Sequence, residues 1–519
     1  MIRDLGETGS APLPAFDLCI IGSGPAGMTL ARELCDSGLR ICVLESGKLR
    51  TTRQGDALRT VRSEGIRIKD YSRERVLGGA STTWSGLSAP LDPIDMGERP
   101  VLALPGWPIT REELLPYWAA AAERYRFAPL AAYGPDGFGA LKRRGDAQLC
   151  WRDVEEKIFL AASEPQDFGR EHRAVFETPG VDLCLDATVL RLESASRAAA
   201  SAAPPRIARA VVRTSGGREL SIEARVFVLA TGGIENARLL LNSRDACAAG
   251  LGNERDQVGR CLMNHPKNYH GVIRLARPVR ELPYHFGCLH RGFAGYAGLR
   301  LREPLQQQRG VLNSYVRFEP LFPWTDSRGV ESLVFLVKRS RGALRGWKER
   351  RREEVVDMRD YSETGDDSDL QNERKTLLDW LALFGAIVIQ SPTVLRYVVA
   401  RLRRGAPIVR AVRLRNFLEM EPHPDNRVTL GEQRDSLGQP IPLVRHAPTE
   451  LDRRSLVALH ETLAAELASN GFGELESTLA QERPWPHGDG KLRMTAVHRL
   501  VDGEKVTVVE AEQVGAIDR

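Results

Sequence analysis

The stretch that most constrains this chain is residues 16–47, FDLCIIGSGPAGMTLARELCDSGLRICVLESG. Residues 16–21 form a short apolar run that predicts a buried strand, and this run leads directly into the G-x-G-x-x-G pattern of residues 22–27. Residues 28–35 have helical spacing, and residues 41–44 predict a second parallel strand that ends at Glu45. The order strand, glycine turn, helix and strand predicts a βαβ unit.

Each glycine of the G-x-G-x-x-G pattern, and the acid that follows the second strand, has a physical role in holding a dinucleotide. Gly22 allows the tight turn, Gly24 lets the backbone approach a pyrophosphate, and Gly27 lets the helix pack on the strand. The N–H groups at the start of the helix then face the phosphates. Glu45 follows at roughly the 20-residue distance at which an acid binds a ribose hydroxyl. The stretch therefore predicts a dinucleotide site.

Composition excludes several other classes of function. The formal net charge of +5 is small for 519 residues and gives no reason to expect a nucleic-acid partner. The eight cysteines are scattered without a C-x-x-C pair, which argues against a disulfide framework, a zinc site or an iron–sulfur cluster, so no metal is expected. The first 15 residues lack the apolar core of a signal peptide, and the longest apolar run, residues 381–389, is too short to span a bilayer. We therefore expect a cytoplasmic protein.

A second group of motifs makes the interpretation more specific. RVLGGASTTWSG (residues 75–86), PLDPIDM and GWPITREELLPYW (residues 106–118) follow the glycine pattern, and ARVFVLATGGIENARLLLNS (residues 224–243) comes further along the chain. GLGNERDQVGRCLMNHP (residues 250–266) and EMEPHPDNRVTL (residues 419–430) complete the series. In order and spacing these blocks resemble the glucose-methanol-choline (GMC) oxidoreductases. The resemblance implies that the dinucleotide is FAD; NAD-dependent dehydrogenation is disfavoured, because RVLGGAS and ATGGIENA have no role there.

The resemblance also assigns roles to individual residues. The ADP half would be bound by the glycine fingerprint and Glu45, the pyrophosphate and flavin by the double-glycine loop, and adenine by the backbone of Val189. Thr231, Gly232 and Asn236 would return under the cofactor. The full set of implied cofactor-binding residues is Gly22, Ser23, Gly24, Pro25, Ala26, Gly27, Glu45, Ser46, Arg75, Gly78, Gly79, Ser81, Trp84, Val189, Thr231, Gly232 and Asn236.

One position bears on how the cofactor is attached. Pyranose oxidases, a related branch, carry a histidine in an S-T-H-W motif that bonds covalently to the flavin. This chain has Thr83 at the corresponding position. We therefore expect FAD to be bound non-covalently.

The fold class expected is α/β: a Rossmann-like FAD-binding domain with insertions, plus a substrate domain built on an antiparallel sheet. Residues 1–15 are expected to be a flexible lead-in, 16–270 the FAD-binding domain, 271–445 the substrate or cap domain, and 446–519 a return to the FAD domain that is atypical after 490. The low-complexity segment 194–205 predicts a hairpin tip, VLNSYVRF and LVFLVK predict two strands of the cap, residues 338–354 a basic helix face, and residues 360–373 a mobile acidic loop.

Residues 377–415 combine apolar stretches with several arginines and leave two interpretations open. The segment is either a helical lid over the substrate cavity or an amphipathic surface that meets anionic lipid or a lipid-linked substrate. The lid is favoured at this point, because the rest of the sequence gives no membrane signal.

The C-terminal region departs from the family pattern. GMC enzymes use a C-terminal histidine followed by a histidine or an asparagine, because a neutral imidazole is suited to remove the proton of an alcohol. This chain follows the family to residue 490, but the H-x-M-G-x-x-R-M block is then replaced by KLRMTAVHRLVDGEKVTVVEAEQVGAIDR. The candidate bases are His498 or His487 in a shortened site, or His265 in the N-H-P block. The alternative is that the chain catalyses nothing.

Family resemblance implies oxidation of an alcohol to a carbonyl by hydride transfer to FAD, with a sugar or glycoside hydroxyl as one substrate class. Oxygen, a quinone or a carrier protein would take the electrons. Two alternatives remain: a lyase that contains flavin without using it for redox chemistry, and a degenerate, non-catalytic flavoprotein.

Overall fold

The computed structural model describes the chain apart from residues 8–12, 67, 69–72, 103, 135–148, 163, 196–205, 281, 283, 285–287, 291–292, 346–376, 403–406, 478, 481–491, 502–503 and 514–519. The strands, in chain order, are β1 (Ile2–Asp4), β2 (Phe16–Ile21), β3 (Ile41–Leu44), β4 (Arg62–Gly65), β5 (Val154–Ala162), β6 (Val181–Leu185), β7 (Thr188–Ser194), β8 (Ile207–Arg213), β9 (Glu219–Leu229), β10 (Lys267–Asn268), β11 (Val272–Val279), β12 (Cys288–His290), β13 (Phe293–Leu301), β14 (Tyr315–Leu321), β15 (Val409–Phe417), β16 (Arg427–Arg434), β17 (Pro440–His446), β18 (Gly473–Glu476), β19 (Leu492–Val501) and β20 (Glu504–Gln513).

The α-helices are α1 (Pro25–Leu34), α2 (Arg53–Ala57), α3 (Pro93–Met96), α4 (Arg111–Tyr125), α5 (Phe168–Glu171), α6 (Gly233–Asn242), α7 (Glu303–Arg309), α8 (Arg328–Arg345), α9 (Leu377–Ile389), α10 (Ser391–Leu402) and α11 (Glu450–Ser469). Short 3₁₀ turns lie at residues 79–82, 130–133 and 173–177.

The first sheet is organised around the predicted βαβ unit. Strands β1, β6, β3, β2 and β9 run parallel in that order, and β8 and β7 extend the sheet antiparallel. Strand β2 is apolar and almost wholly buried, as expected of a parallel strand covered on both faces. Met28 and Ala31 of α1 pack on one face against Ile20 and Val43. The α/β class and the Rossmann-like first sheet are therefore as predicted.

The second sheet is antiparallel and contains eight strands, with the path β12-β13-β14-β15-β11-β18 and with β5 and β10 added at β13 and β15. Helix α11 covers it, because Leu459, Leu463 and Leu467 pack with Phe318 and Leu414 in one buried cluster. Strand β5 comes from far upstream of its partner β13 in the chain. The segment between β3 and β6 of the first sheet therefore supplies a strand to the second sheet. A third, small sheet pairs β4 with β17 in parallel and β17 with β16 antiparallel.

Several local expectations differ from the structure. Residues 2–4, expected to belong to a flexible lead-in, form the edge strand β1, whose neighbour Leu5 is buried. LVFLVK was predicted to be a strand but lies within α8, where Ser332 and Phe335, three residues apart on one side of the helix, are buried. VLNSYVRF does contribute a strand, β14.

The remaining expectations concern segments that are only partly described. Strands β7 and β8 form the predicted hairpin, whose tip lies outside the described residues. The acidic segment 360–373 and the side chains of the basic segment 338–354 lie outside them as well. The domain boundaries stay predictions.

Candidate functional site

The glycine fingerprint lies at the carboxyl end of β2, where β2 meets the start of α1. Gly22 has a φ of +104°, and a Cβ there would lie 2.6 Å from the Ala230 carbonyl oxygen. A Cβ on Gly27 would overlap the Gly22 carbonyl oxygen. At Gly24, by contrast, a Cβ would meet no protein atom within 4 Å. Two glycines are thus required by packing, while Gly24 faces open space, as close approach of a ligand demands.

The start of α1 is suited to receive an anion. Gly24 is the N-cap residue and offers no side chain, and the first turn contains Pro25 and Ala26 but no acid. The N-terminal N–H groups and the positive end of the helix dipole therefore point out of the fingerprint without a capping group on the N-cap residue.

Glu45 follows β3 and lies against the same turn. Its Oε2 accepts hydrogen bonds from the Ser23 Oγ at 2.5 Å and the Ser23 N–H at 3.2 Å, and its Oε1 accepts from the Gly47 N–H at 2.8 Å. Burial raises the pKa of this carboxyl, and the three hydrogen bonds oppose the shift. A carboxylate has about four acceptor positions, so these bonds fix its orientation and leave capacity for a ribose hydroxyl.

The double-glycine loop packs directly on the fingerprint. The Gly78 N–H donates to the Ser23 carbonyl oxygen at 3.1 Å, and a Cβ on Gly79 would lie 3.0 Å from the Gly24 Cα. The Ser81 hydroxyl donates to the Gly78 carbonyl oxygen at 2.6 Å, which closes the turn. Two stretches separated by some fifty residues therefore form one continuous glycine-lined wall.

A supporting segment, residues 166–169, holds this wall and was not identified from the sequence. The Phe168 N–H donates to Ser81 Oγ at 3.0 Å, and Trp84 Nε1 donates to the Gln166 carbonyl oxygen at 2.7 Å. A Cβ on Gly78 would lie 2.6 Å from the Gly169 nitrogen. The only sequence signal was a glycine after Phe168, which is too common to be informative.

The third predicted stretch returns to the same edge of the sheet after β9. Gly232 has a φ of +84° and faces open space, and it precedes α6. Asn236 Oδ1 accepts from Thr231 N–H at 3.0 Å and from Thr231 Oγ1 at 2.6 Å. The visible role of Asn236 is therefore to hold the Thr231–Gly232 turn.

The fingerprint, Glu45, the double-glycine loop and the Thr231–Gly232 turn together form a surface that we call the cradle. The remaining predicted residues lie on its Glu45 side. Arg75 donates to Ser46 Oγ at 3.1 Å and pairs with Glu235 at 3.0 Å, so it links the end of β3 to the start of α6. Three arginines around Glu235 lower its pKa to about 2, so this carboxylate is ionised. Val189 lies on β7 just past Ala187, whose N–H donates to the Glu45 carbonyl oxygen at 2.9 Å.

These observations fit an FAD. Three glycine-rich stretches from distant parts of the chain meet at the carboxyl ends of the parallel strands β2, β3 and β9, which is where open α/β sheets bind dinucleotides. The open space at Gly24 and Gly232 is what a pyrophosphate requires. Glu45 lies beside the fingerprint at the end of β3, and the roles predicted for Glu45 at the ribose and for Val189 at the adenine stay predictions.

A cavity of about 750 Å³ begins where the double-glycine loop ends, at Leu87. Its wall includes Phe159 and Tyr315, whose rings stack at 4.6 Å, and the partly exposed Trp107. The cavity also contains His265. It therefore combines flat apolar rings with an imidazole.

The polar part of the cavity wall is a network of three carboxylates and three positively charged side chains. Lys157 Nζ lies 2.6 Å and Arg300 Nη1 2.7 Å from Asp92, and Arg99 binds Glu419 through two contacts of 2.5 and 2.8 Å. Asn313 Nδ2 donates to both Asp92 and Asp95 at 3.0 Å. Burial lowers the pKa of Lys157 and raises that of Asp95.

The sequence analysis missed this network. Asp92 and Asp95 lie in the PLDPIDM block, but Lys157, Arg300 and Asn313 lie far away on or next to strands of the second sheet, without a motif. Only the pairing of β5 with β13 brings Lys157 and Arg300 to the same wall.

Of the candidate bases that the structure describes, His265 lines the cavity. The His265 residue is exposed to solvent on one side, while desolvation by the cavity wall and the nearby Lys267 lower its pKa below the usual value, so the imidazole is neutral at pH 7. His498 lies on β19, opposite Thr507 of β20, in a separate two-stranded sheet. His487 lies outside the described residues.

One comparison with known proteins concerns the cofactor. The family model described as "FAD binding domain" matches residues 15–66, which span the fingerprint, Glu45 and Ser46. The match confirms the FAD-binding part of the GMC resemblance. A search of curated proteins found no match.

Several solved structures are similar along most of the chain. Pyridoxine 4-oxidase from Mesorbium loti has 15% identity and a TM-score of 0.43, covering 91% of this chain and 83% of its own. A formate oxidase of Aspergillus oryzae RIB40 has 16% identity and a TM-score of 0.44, covering 92% and 85%. A fungal aryl-alcohol oxidase has 14% identity and a TM-score of 0.40, covering 88% and 82%. Similarity at this level carries no conclusion about the activity of this chain.

Proposed function

We propose that this protein is a GMC-type, FAD-dependent oxidoreductase that oxidises an alcohol, with a sugar or glycoside hydroxyl as the preferred substrate class. The observation that carries the proposal is the meeting of three glycine-rich stretches at one sheet edge, with Gly24 facing open space, next to a polar cavity. When bound, FAD supplies a two-electron acceptor for the hydride of the alcohol carbon.

His265 is the proposed general base. Its lowered pKa keeps the imidazole neutral, so it can accept the hydroxyl proton of the substrate at neutral pH. Lys267, two residues along the chain, disfavours the imidazolium. A proton taken up by His265 is therefore readily released again to solvent at the cavity mouth.

The preference for a polyhydroxylated substrate follows from the cavity wall. Asp92, Asp95 and Glu419 present acceptors, and Lys157 and Arg300 present donors, all fixed by mutual bonds. The donors and acceptors suit the hydroxyls of a polyol or sugar, and the flat aromatic rings suit the apolar face of a sugar ring. A simple aliphatic alcohol has no further hydroxyls with which to use the remaining donor and acceptor positions of these groups, so it would gain fewer hydrogen bonds on binding.

Two cofactor properties belong to the proposal. We expect non-covalent attachment, because Thr83 stands at the position that carries the flavin-linked histidine of pyranose oxidases. Acid precipitation should therefore release all of the FAD into the supernatant. The electron acceptor is oxygen, a quinone or a carrier protein, and reoxidation of the reduced protein by each would identify it.

The test of activity is the visible spectrum of the purified protein before and after a panel of sugars, glycosides and simple alcohols without air. Oxidation predicts bleaching of the flavin band by at least one polyol, and accumulation of a carbonyl product. Colourless protein that takes up no FAD would refute the cradle. Bound FAD that stays yellow while the alcohol is cleaved would show a lyase.

A non-catalytic flavoprotein is the second candidate, and the C-terminal hairpin favours it. Strands β19 and β20 pair with each other along ten residues and form their own sheet, so His498 lies on a strand that is not hydrogen-bonded to the parallel sheet. This candidate predicts stoichiometric FAD that no member of the panel reduces and no cleavage of the alcohol.

A further inference from the structure

Helices α9 and α10 expose an unusual amount of apolar surface. Ile389 is 81% exposed and Leu402 79%, and the outward set comprises Leu377, Leu378, Leu381, Phe384, Val388, Ile389, Leu395, Val399 and Leu402. We call these nine side chains the apolar ridge. Folded soluble proteins rarely expose so many large apolar side chains on two consecutive helices, so the ridge indicates a binding surface.

The ridge is the outer face of a firmly packed helix pair. Leu383 and Val394 are buried on the inner face, and Trp380 packs on Phe335 of α8 with ring centroids 6.1 Å apart. Gln390, between the two helices, accepts hydrogen bonds from Ser327 Oγ at 2.7 Å and the Gly329 N–H at 2.8 Å. The junction is thus anchored to the start of α8, and the outward direction of the ridge is fixed by packing.

The described part of the helix pair does not line the cavity next to the glycine-rich loops, so the lid that the sequence analysis favoured stays a prediction. The described residues that line the 750 Å³ cavity come from the segments 87–108, 157–159, 263–265, 300–315 and 418–422. Residues 377–402 are not among them. The ridge therefore needs an occupant other than the substrate in this cavity.

The dimensions of the pair suit the surface of a bilayer. Helix α9, with 13 residues, is about 20 Å long, shorter than a hydrocarbon core of about 30 Å. No single described helix is long and apolar enough to cross a membrane; α9 and α10 pass that test only together, as a pair bent by 78°. Such a pair can insert one face to the depth of the acyl boundary without crossing.

Charge complementarity selects anionic lipid over a second copy of this chain. Arg396 and Arg401 are exposed on α10 beside the ridge, and Asp379 is the acid on the described part of these two helices. On the described residues of α9 and α10, two copies meeting face to face would bring four arginines together with two acids. Anionic headgroups would instead neutralise both arginines while the apolar side chains leave water.

We propose that the apolar ridge of α9 and α10, with Arg396 and Arg401, is a monotopic docking surface for membranes that contain anionic lipid. The apolar side chains enter the headgroup–acyl boundary and the arginines contact phosphates. The proposal does not depend on the substrate or on the base, because neither lies on these helices.

The experiment is co-sedimentation of the full-length, FAD-loaded protein with vesicles of phosphatidylcholine alone or of phosphatidylcholine mixed with phosphatidylglycerol. We expect binding to the anionic vesicles about 30-fold tighter, from two arginines at the surface. Leu381→Ser/Phe384→Ser should reduce binding to both vesicle types at least about 10-fold. Arg396→Gln/Arg401→Gln should abolish the preference for anionic vesicles and leave the weak binding to neutral ones.

The matched controls are Leu39→Ser/Tyr117→Ser, which removes exposed apolar side chains elsewhere, and Arg209→Gln/Arg225→Gln, which removes exposed arginines elsewhere. Both should bind anionic vesicles as the parent does. Flavin content and near-UV circular dichroism establish that each variant is folded.

Three results would overturn the proposal: no sedimentation of the parent protein with anionic vesicles, equal binding of the parent and the Leu381→Ser/Phe384→Ser variant, or equal loss in the controls. A parent that is dimeric in light scattering, becomes monomeric in Leu381→Ser/Phe384→Ser and ignores vesicles would show that a second copy covers the ridge.

Discussion

Gly24 and Gly27 lie three residues apart in the fingerprint, and the structure predicts opposite consequences for replacing them. The Gly24 backbone has φ −68° and ψ −177°, which any residue adopts, and its Cβ would meet no atom within 4 Å. Gly24→Val should therefore leave the stability of the apoprotein within about 0.5 kcal/mol of the parent. Its side chain fills the space where the backbone must approach a pyrophosphate.

The loss of affinity can be worked from the bonds that this approach makes. Displacing the phosphates from two N–H groups forfeits two charge-assisted hydrogen bonds, worth about 1.5–3 kcal/mol each. The sum of about 3–6 kcal/mol corresponds to about a 10²- to 10⁴-fold weaker affinity for FAD. Gly24→Val should thus be purified nearly colourless.

Gly27→Ala should behave in the opposite way. The new Cβ would overlap the Gly22 carbonyl oxygen and lie 3.2 Å from the Ile20 side chain. Because backbone cannot rotate aside as a side chain can, α1 must shift, and we expect a loss of about 1–3 kcal/mol in the free energy of unfolding. FAD binding falls here only as far as the helix is displaced.

The assay has two parts on deflavinated protein: urea unfolding followed by circular dichroism, and calorimetric titration with FAD. Gly216→Val, in the β8–β9 turn remote from the fingerprint, is the matched control and should retain FAD affinity. The reasoning is refuted if Gly24→Val binds FAD like the parent, or if it unfolds as readily as Gly27→Ala.

Three further predictions concern single groups. His265→Asn should keep its FAD but slow anaerobic flavin reduction by substrate about 10²- to 10⁴-fold, and the parent rate should rise with pH through a pKa below 6.5; an unchanged rate excludes His265 as the base. His460 is buried between Asn416 and Ser477, and its pKa is lowered to about 3. Between pH 6.5 and 3 this histidine is therefore protonated in the unfolded chain and neutral in the folded one. Urea unfolding should show the free energy of unfolding falling as pH drops through this range, by at most about 1.4 kcal/mol per pH unit. His460→Gln should flatten that slope. Glu319 is the carboxylate shared by the buried Arg413 and Arg415, which lower its pKa to about 2. Glu319→Gln should lower the free energy of unfolding in urea by about 3–5 kcal/mol, because the arginines lose this partner. The control Glu476→Gln, at an exposed ion pair, should lower it by less than about 1 kcal/mol.

The cofactor half of the fold was predictable because its signals are local. Strands β2 and β3 have the bounds expected from the sequence, since β3 and all of β2 except Asp17 are apolar, and both strands end at a polar or glycine residue. Helix α1 begins at Pro25, three residues before the predicted start, because proline and glycines are tolerated in a first turn. The roles assigned to individual cofactor residues stay predictions that their positions support.

The cavity half was not predictable, because its residues meet only through long-range pairing. Lys157 and Arg300 are separated by more than a hundred residues, and each sits in a strand with no motif around it. LVFLVK shows the same limit locally, since a six-residue apolar run fits a strand or one side of a helix equally well. Tertiary packing of Ser332 and Phe335 decided in favour of the helix.

Strand β5 has a consequence for how such proteins can be recombined. In the sequence it lies between β3 and β6, which both belong to the first sheet. It nevertheless pairs with β13 of the second sheet through nine consecutive residues, from Val154 to Ala162. A chimera that transplants residues 271–445 from a relative would join a foreign β13 to the resident β5 and replace Arg300, the partner of Glu155 across the two strands. A working graft must therefore carry 154–162 along with the segment, so inherited variation in substrate preference should be found in both places together.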